Sequence, residues 1–124
     1  MREMKILFVE DDVVLNLATS VALEDEGVDM KCVYSGPAAI EAITSLEYLD
    51  ALLTDIDLGK GPDGFDVARY ARKLYPHLPV VFVSGTMGLH HAANGVEGSV
   101  FVAKPFHPAQ LMRALDQAIH REAA

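Results

Sequence analysis

Five short runs of the chain are almost entirely apolar: Ile6–Val9, Met30–Val33, Ala51–Thr54, Val80–Val83 and Val100–Val102. Each is bounded by polar residues or by Gly and Pro, the punctuation that brackets strands. A strand with one wet face alternates apolar and polar residues, whereas a near-continuous apolar run suits a strand covered on both faces of a parallel sheet. Parallel neighbours need a crossover, usually a helix. The intervening segments have the required spacing. Val14, Leu15, Ala18, Val21 and Ala22 form one stripe, capped at Asp11 or Asp12 and ending at Gly27, and are expected to face the core. Ala39, Ile40, Ile43 and Leu46 form a second behind Gly36-Pro37, and Phe65, Val67, Ala68, Ala71 and Leu74 a third, stopped by Pro76. Leu111, Leu115 and Ile119 form the last, behind Pro108. Residues 87–98 hold three glycines and little periodicity, so their helix is the weakest. β-α repeated five times predicts an α/β fold with right-handed crossovers and helices on both faces of one parallel sheet. Residues 1–124 read as one domain, with no linker or repeat.

Composition narrows the function. The chain has 124 residues and a net charge of −8, which disfavours nucleic acid as a partner and suits cations or basic proteins. No apolar run approaches the roughly 20 residues that span a bilayer. The start, "MREMKILFVEDD", lacks the apolar length of a secretory signal. The single cysteine, Cys32, lies in an apolar run, reads as a packed thiol and fits a reducing, cytoplasmic setting.

In a doubly wound sheet, ligands bind beyond the carboxyl ends of the strands. Glu10, Asp11 and Asp12 follow the first run, Tyr34 and Ser35 the second, and Asp55 and Asp57 the third. Ser84, Gly85 and Thr86 follow the fourth, and Lys104 and Pro105 the fifth. Carboxylates, a hydroxyl and an ammonium therefore converge on one edge. Packed carboxylates repel unless a cation lies among them, and oxygen-only ligands suit Mg²⁺. A carboxylate beside such a cation and a lysine can act as a nucleophile toward phosphorus. The metal and Lys104 would then offset charge on the phosphoryl oxygens, and Ser84 could donate a hydrogen bond to one.

The ordered set "FVEDD", "LLTDIDL", "VFVSG" and "FVAKPF" resembles the receiver domain of two-component response regulators over essentially the whole chain. The resemblance implies a flavodoxin-like (βα)₅ doubly wound sheet of strand order 2-1-3-4-5. It implies Asp55 as phosphoacceptor, with Mg²⁺ held by Asp11, Asp55, Glu10 through water, and the backbone carbonyl of Asp57. It gives Ser84 and Lys104 as phosphoryl-binding residues and Phe101 as a switch aromatic, with a cis Lys104–Pro105 peptide. Residues 87–98 would repack when Phe101 turns. A sensor histidine kinase or histidine phosphotransfer protein would supply the phosphoryl group, and a downstream protein target would read it. A homodimer is a second form of association left open. The chain would be no enzyme beyond its own phosphorylation and autodephosphorylation, and would stand alone without a DNA-binding output.

Departures from the family pattern are Gly59, where a proline is common, Ser84 for threonine, Gly85 for alanine, and Phe101 without a hydroxyl. Two rivals remain. "TDIDLG" also resembles the DxD motif of haloacid-dehalogenase-type phosphotransferases, which would use Asp55 and Asp57, but the acidic cluster here comes first in the chain. A receiver-like binding module without phosphorylation is the other. His77, His90, His91, His107 and His120 read as surface residues, and adjacent His90 and His91 would point about 100° apart on a helix. Arg69, Arg72 and Lys73 read as a solvated face near a helix end.

Overall fold

The computed structural model describes residues 3–85 and 94–123. Five strands, β1 (Lys5–Val9), β2 (Asp29–Val33), β3 (Ala51–Asp55), β4 (Val80–Ser84) and β5 (Val100–Ala103), form one parallel sheet in the order β2-β1-β3-β4-β5. This is the expected 2-1-3-4-5 arrangement. Among the described residues there are four helices: α1 (Val13–Glu24), α2 (Gly36–Ser45) and α3 (Gly64–Leu74) cross between strands, and α4 (Pro108–Ala123) follows β5. The weak helix expected over 87–98 falls mostly on 87–93, outside the described residues, as do His90 and His91. No described helix is long and apolar enough to cross a membrane.

Why the strands are unbroken in their apolarity is visible in the core. Alternate side chains of one strand point to opposite faces. Ile6 and Phe8 join Leu53, Val81, Leu111 and Leu115 on one side. Leu7 and Val9 join Leu52, Ile43, Val67 and Phe82 on the other. The interior strands β3 and β4 are buried at every position. Each fully buried Leu, Ile or Phe contributes about 1.5–3 kcal/mol, so both layers stabilise the sheet. Phe65 of α3 packs on Phe82 of β4 with ring centroids 5.1 Å apart.

The helix ends follow from their caps. Asp12 accepts from the Leu15 amide, Ser35 from Ala38, and Asp63 and Asp66 form a reciprocal capping box at α3. At α4, His107 accepts from the Ala109 amide through Nδ1, a structural use for an exposed histidine that its surface reading did not include.

Helix α1 corrects the sequence reading. Val14, Ala18 and Val21 do not face the core; they are exposed, together with Val13 and Leu17, and Val14 and Leu17 are 78% and 64% accessible. Asn16, Thr19, Ser20 and Leu23 are buried instead. The helix formed where expected but is rolled so that a mostly polar stripe meets the sheet. On α3, Leu74, the last residue of the helix, is half exposed.

Arg69 and Arg72 are a second correction. They do more than line a wet face. Arg69 donates to the Asn94 carbonyl, and Arg72 donates to the carbonyls of Leu78 and Glu97. Arg121 of α4 donates to the Ser99 carbonyl. Three guanidinium groups thus fix the chain entering β5. Lys104–Pro105 is cis, as the resemblance implies.

Candidate functional site

The acidic edge is assembled by topology. Strand β1 lies between β2 and β3, so the chain leaving it at Glu10 emerges between them, beside Asp55 at the end of β3. Lys104 follows β5, yet its side chain passes the ends of β4 and β3 to reach β1. Its Nζ lies 2.7 Å from Glu10 Oε1 and 3.0 Å from Asp55 Oδ2. The Lys104 amide donates to the Ser84 carbonyl, which anchors the base of this reach.

Glu10 is wholly buried, and Asp55 nearly so, whereas Asp11 is exposed. Glu10 Oε2 accepts from the Asp12 amide at 3.1 Å. Its Oε1 meets Lys104 as a charge contact without hydrogen-bond alignment, leaving a buried oxygen with no directed donor. Burial pushes the Glu10 carboxyl above its ordinary value and the Asp55 charge adds to this, while Lys104 and the Asp12 amide pull the other way. Asp11 is also raised, by burial and then by Glu10. Burial pulls Lys104 down, but its contacts with Glu10 and Asp55 outweigh that and leave it raised. Both acids are therefore under-compensated.

That imbalance tests the fit of a cation. Glu10, Asp11 and Asp55 each offer an oxygen, and these oxygens lie within 4.8 Å of one another. One ammonium faces three carboxylates, the donors are all hard oxygens, and Asp11 opens the site to solvent. The set fits Mg²⁺, which takes carboxylates while keeping waters.

The remaining expected residues divide. Ser84 is buried at the end of β4, one residue beyond Val83, the register partner of Asp55. Phe101 lies on β5 opposite Phe82, half-buried against the α2–α3 layer. The side chain of Asp57 does not join the carboxylate cluster: it is exposed, and its Oδ1 accepts from the Gly59 amide at 3.3 Å. Gly59 itself has φ +79°. Proline, locked near −65°, cannot adopt that angle, so this longer loop turns by a route closed to the commoner residue. Gly64 is pinned differently: a Cβ there would lie 2.2 Å from the Asp55 carbonyl oxygen.

Sequence reasoning missed Asn16 and Ser20. Asn16 Nδ2 donates to the carbonyls of Glu10 and Val33, each at 3.1 Å. Its signal was present: Asn16, Thr19, Ser20 and Leu23 are as periodic as the apolar stripe that drew the assignment.

A five-stranded parallel sheet in this order, with acids after its first and third strands and a lysine after its fifth, defines the receiver class of α/β signalling domains. The chain belongs to the response regulator receiver domain family, whose profile matches residues 6–116. A crystal structure of a response regulator receiver protein from Sinorhizobium medicae superposes with a TM-score of 0.92 at 38% identity, covering 97% of both chains. The receiver domain of a sensor histidine kinase from Pseudomonas aeruginosa, crystallised with magnesium in its active-site cleft, matches with a TM-score of 0.80 at 27% identity. It covers 95% of this chain and 98% of its own. A putative NtrX-like response regulator of Rickettsia felis is 28% identical over 95% of this chain, and an uncharacterised transcriptional regulatory protein of Bacillus subtilis 27% over 90%. The chain spans 25% and 49% of those two proteins.

Proposed function

We propose that Asp55 accepts a phosphoryl group from a phosphohistidine of a sensor histidine kinase or histidine phosphotransfer protein, and that the phosphorylated domain changes its affinity for a downstream protein. The observation that carries this reading is the meeting of Asp55, the Glu10–Asp11 pair and Lys104 within a few ångströms at one sheet edge. An Asp55 oxygen attacks phosphorus, the new O–P bond forms as the donor's N–P bond breaks, and the imidazole leaves with its electron pair. Lys104 then offers its ammonium to the phosphoryl oxygens, and Ser84, one strand away, a hydroxyl. Glu10, Asp11 and Asp55, with the Asp57 carbonyl, would hold Mg²⁺, which when bound supplies further counter-charge at the oxygens. The domain would turn over no other substrate. The dehalogenase-type reading needs the Asp57 carboxylate beside Asp55, and its bond to the Gly59 amide speaks against that.

The exposed stripe on α1 supports a protein donor. Val13, Val14, Leu17 and Val21 begin directly after Asp11 and Asp12, and Glu24, Asp25 and Glu26 close the other end. An apolar helical ridge with basic residues at both ends would be complementary. Two copies pairing through α1, parallel or antiparallel, would set acids against acids.

Labelling with acetyl phosphate in Mg²⁺ tests the phosphoacceptor: wild type should take up one stable phosphoryl group and Asp55→Asn none. Undiminished labelling of the variant would move the site elsewhere, Asp57 first. Leu17→Lys should slow transfer from a kinase while leaving acetyl-phosphate labelling intact, and a kinase transfer rate equal to that of wild type would remove α1 from the interface.

A further inference from the structure

The polar face of α1 is turned inward at the cost of exposing four large apolar side chains, and its bonds lead to the acid pair. Asn16 is 1% exposed, and one atom of its carboxamide faces two carbonyl oxygens, Glu10 and Val33, at 3.1 Å each. Only the NH₂ group can serve two acceptors, so the orientation of the amide is fixed. Its Oδ1 accepts from the Ser20 hydroxyl at 3.2 Å. With its proton spent there, Ser20 Oγ can only accept from Cys32, whose Sγ is 2.8 Å away. A one-way chain therefore runs from the Cys32 thiol through Ser20 and Asn16 to the Glu10 backbone.

Strand β1 ends at Val9, so residues 10–12 lie beyond its ladder. The Glu10 amide donates to the Val33 carbonyl, and its carbonyl accepts from Asn16. Two residues on, Asp12 is fixed as the cap of α1. Asp11 hangs between these two anchored points. We infer that Asn16 is a positioning residue for the cation site: through Glu10 it sets where the Glu10 and Asp11 carboxylates stand relative to Asp55. This rests on the reading of Glu10, Asp11 and Asp55 as a cation site. Groups that orient metal ligands from behind typically change affinity about 10–100-fold when removed.

The experiment is an Mg²⁺ titration of wild type, Asn16→Leu, Ser20→Ala and Leu23→Ala, followed by amide NMR shifts, beside thermal melts in EDTA. Leu23 is fully buried on the same helix and is not bonded to residues 10–12, so it reports stability alone. Asn16→Leu should weaken Mg²⁺ binding about tenfold, Ser20→Ala less, and Leu23→Ala within twofold of wild type despite a lower melting temperature. An Asn16→Leu affinity within twofold of wild type would overturn the inference and leave Asn16 a purely structural residue. Should Asn16→Leu not fold, Ser20→Ala decides: weaker binding supports the relay and unchanged binding overturns it. A wild type whose spectrum ignores Mg²⁺ would instead overturn the cation reading, and this inference with it.

Discussion

Replacing Lys104 with methionine keeps most of the apolar stem and removes one charge. The ammonium lies 2.7 Å from Glu10 Oε1 and 3.0 Å from Asp55 Oδ2. At an effective dielectric constant of about 20, each contact has a gross energy of roughly 6 kcal/mol. That energy is not all lost, because a stranded Glu10 can take up a proton. Relative to its ordinary value of 4.5, protonation at pH 7 costs about 1.36 kcal/mol per unit, which caps the Glu10 share of the deficit near 3.4 kcal/mol. The cap shrinks to about 0.7 kcal/mol at pH 5. The sign is consistent with the wild type: a carboxyl raised on folding stabilises below its ordinary pKa, and that contribution is lost as pH rises through the folded value. Without Lys104 the Glu10 carboxyl rises further, so the variant depends more steeply on pH. Urea denaturation in EDTA measures this. With a slope near 2 kcal/mol per molar, that share should lower the midpoint by up to about 1.7 M at pH 7 and about 0.35 M at pH 5. Saturating Mg²⁺ should narrow the gap by supplying the missing charge. An equal deficit at both pH values would refute the reasoning and assign Lys104 a packing role.

Mg²⁺ at ten times its dissociation constant should stabilise the wild type by about 1.4 kcal/mol, and Asp11→Ala should abolish the rise in thermal melts. Gly64→Ala forces a Cβ against the Asp55 carbonyl; it should cost about 1–3 kcal/mol in chemical denaturation and slow acetyl-phosphate labelling. On α1, Leu17→Gln should change stability by no more than about 0.5 kcal/mol, while Leu23→Ala should cost about 2–5 kcal/mol. The reverse order in urea melts would mean that the helix is rolled the other way.

Much of the fold was legible because burial on both faces leaves a local mark. Runs such as Ala51–Thr54 and Val80–Val83 have no wet side in the structure, so nothing interrupts their apolarity. Asp55 and Lys104 were legible for a related reason, since a polar residue that closes such a run must lie at the open edge of the sheet. Periodicity on α1 was less informative. It revealed two stripes, and hydrophobicity alone favoured the wrong one. The inward stripe is chosen by an acceptor that neither stripe encodes: the Glu10 carbonyl just beyond the end of β1, which would cost about 1–3 kcal/mol if buried without a partner.

By itself, then, the sequence determined five strands, their helical crossovers and the family of sites at their carboxyl ends, because each follows from residue type and spacing along the chain. Only the tertiary structure decided the roll of α1, the use of Arg69, Arg72 and Arg121 to hold the entry to β5, and the turning of Asp57 toward Gly59. Each of these depends on carbonyls and amides that meet side chains across distant stretches of sequence, and no local pattern records where such groups will stand.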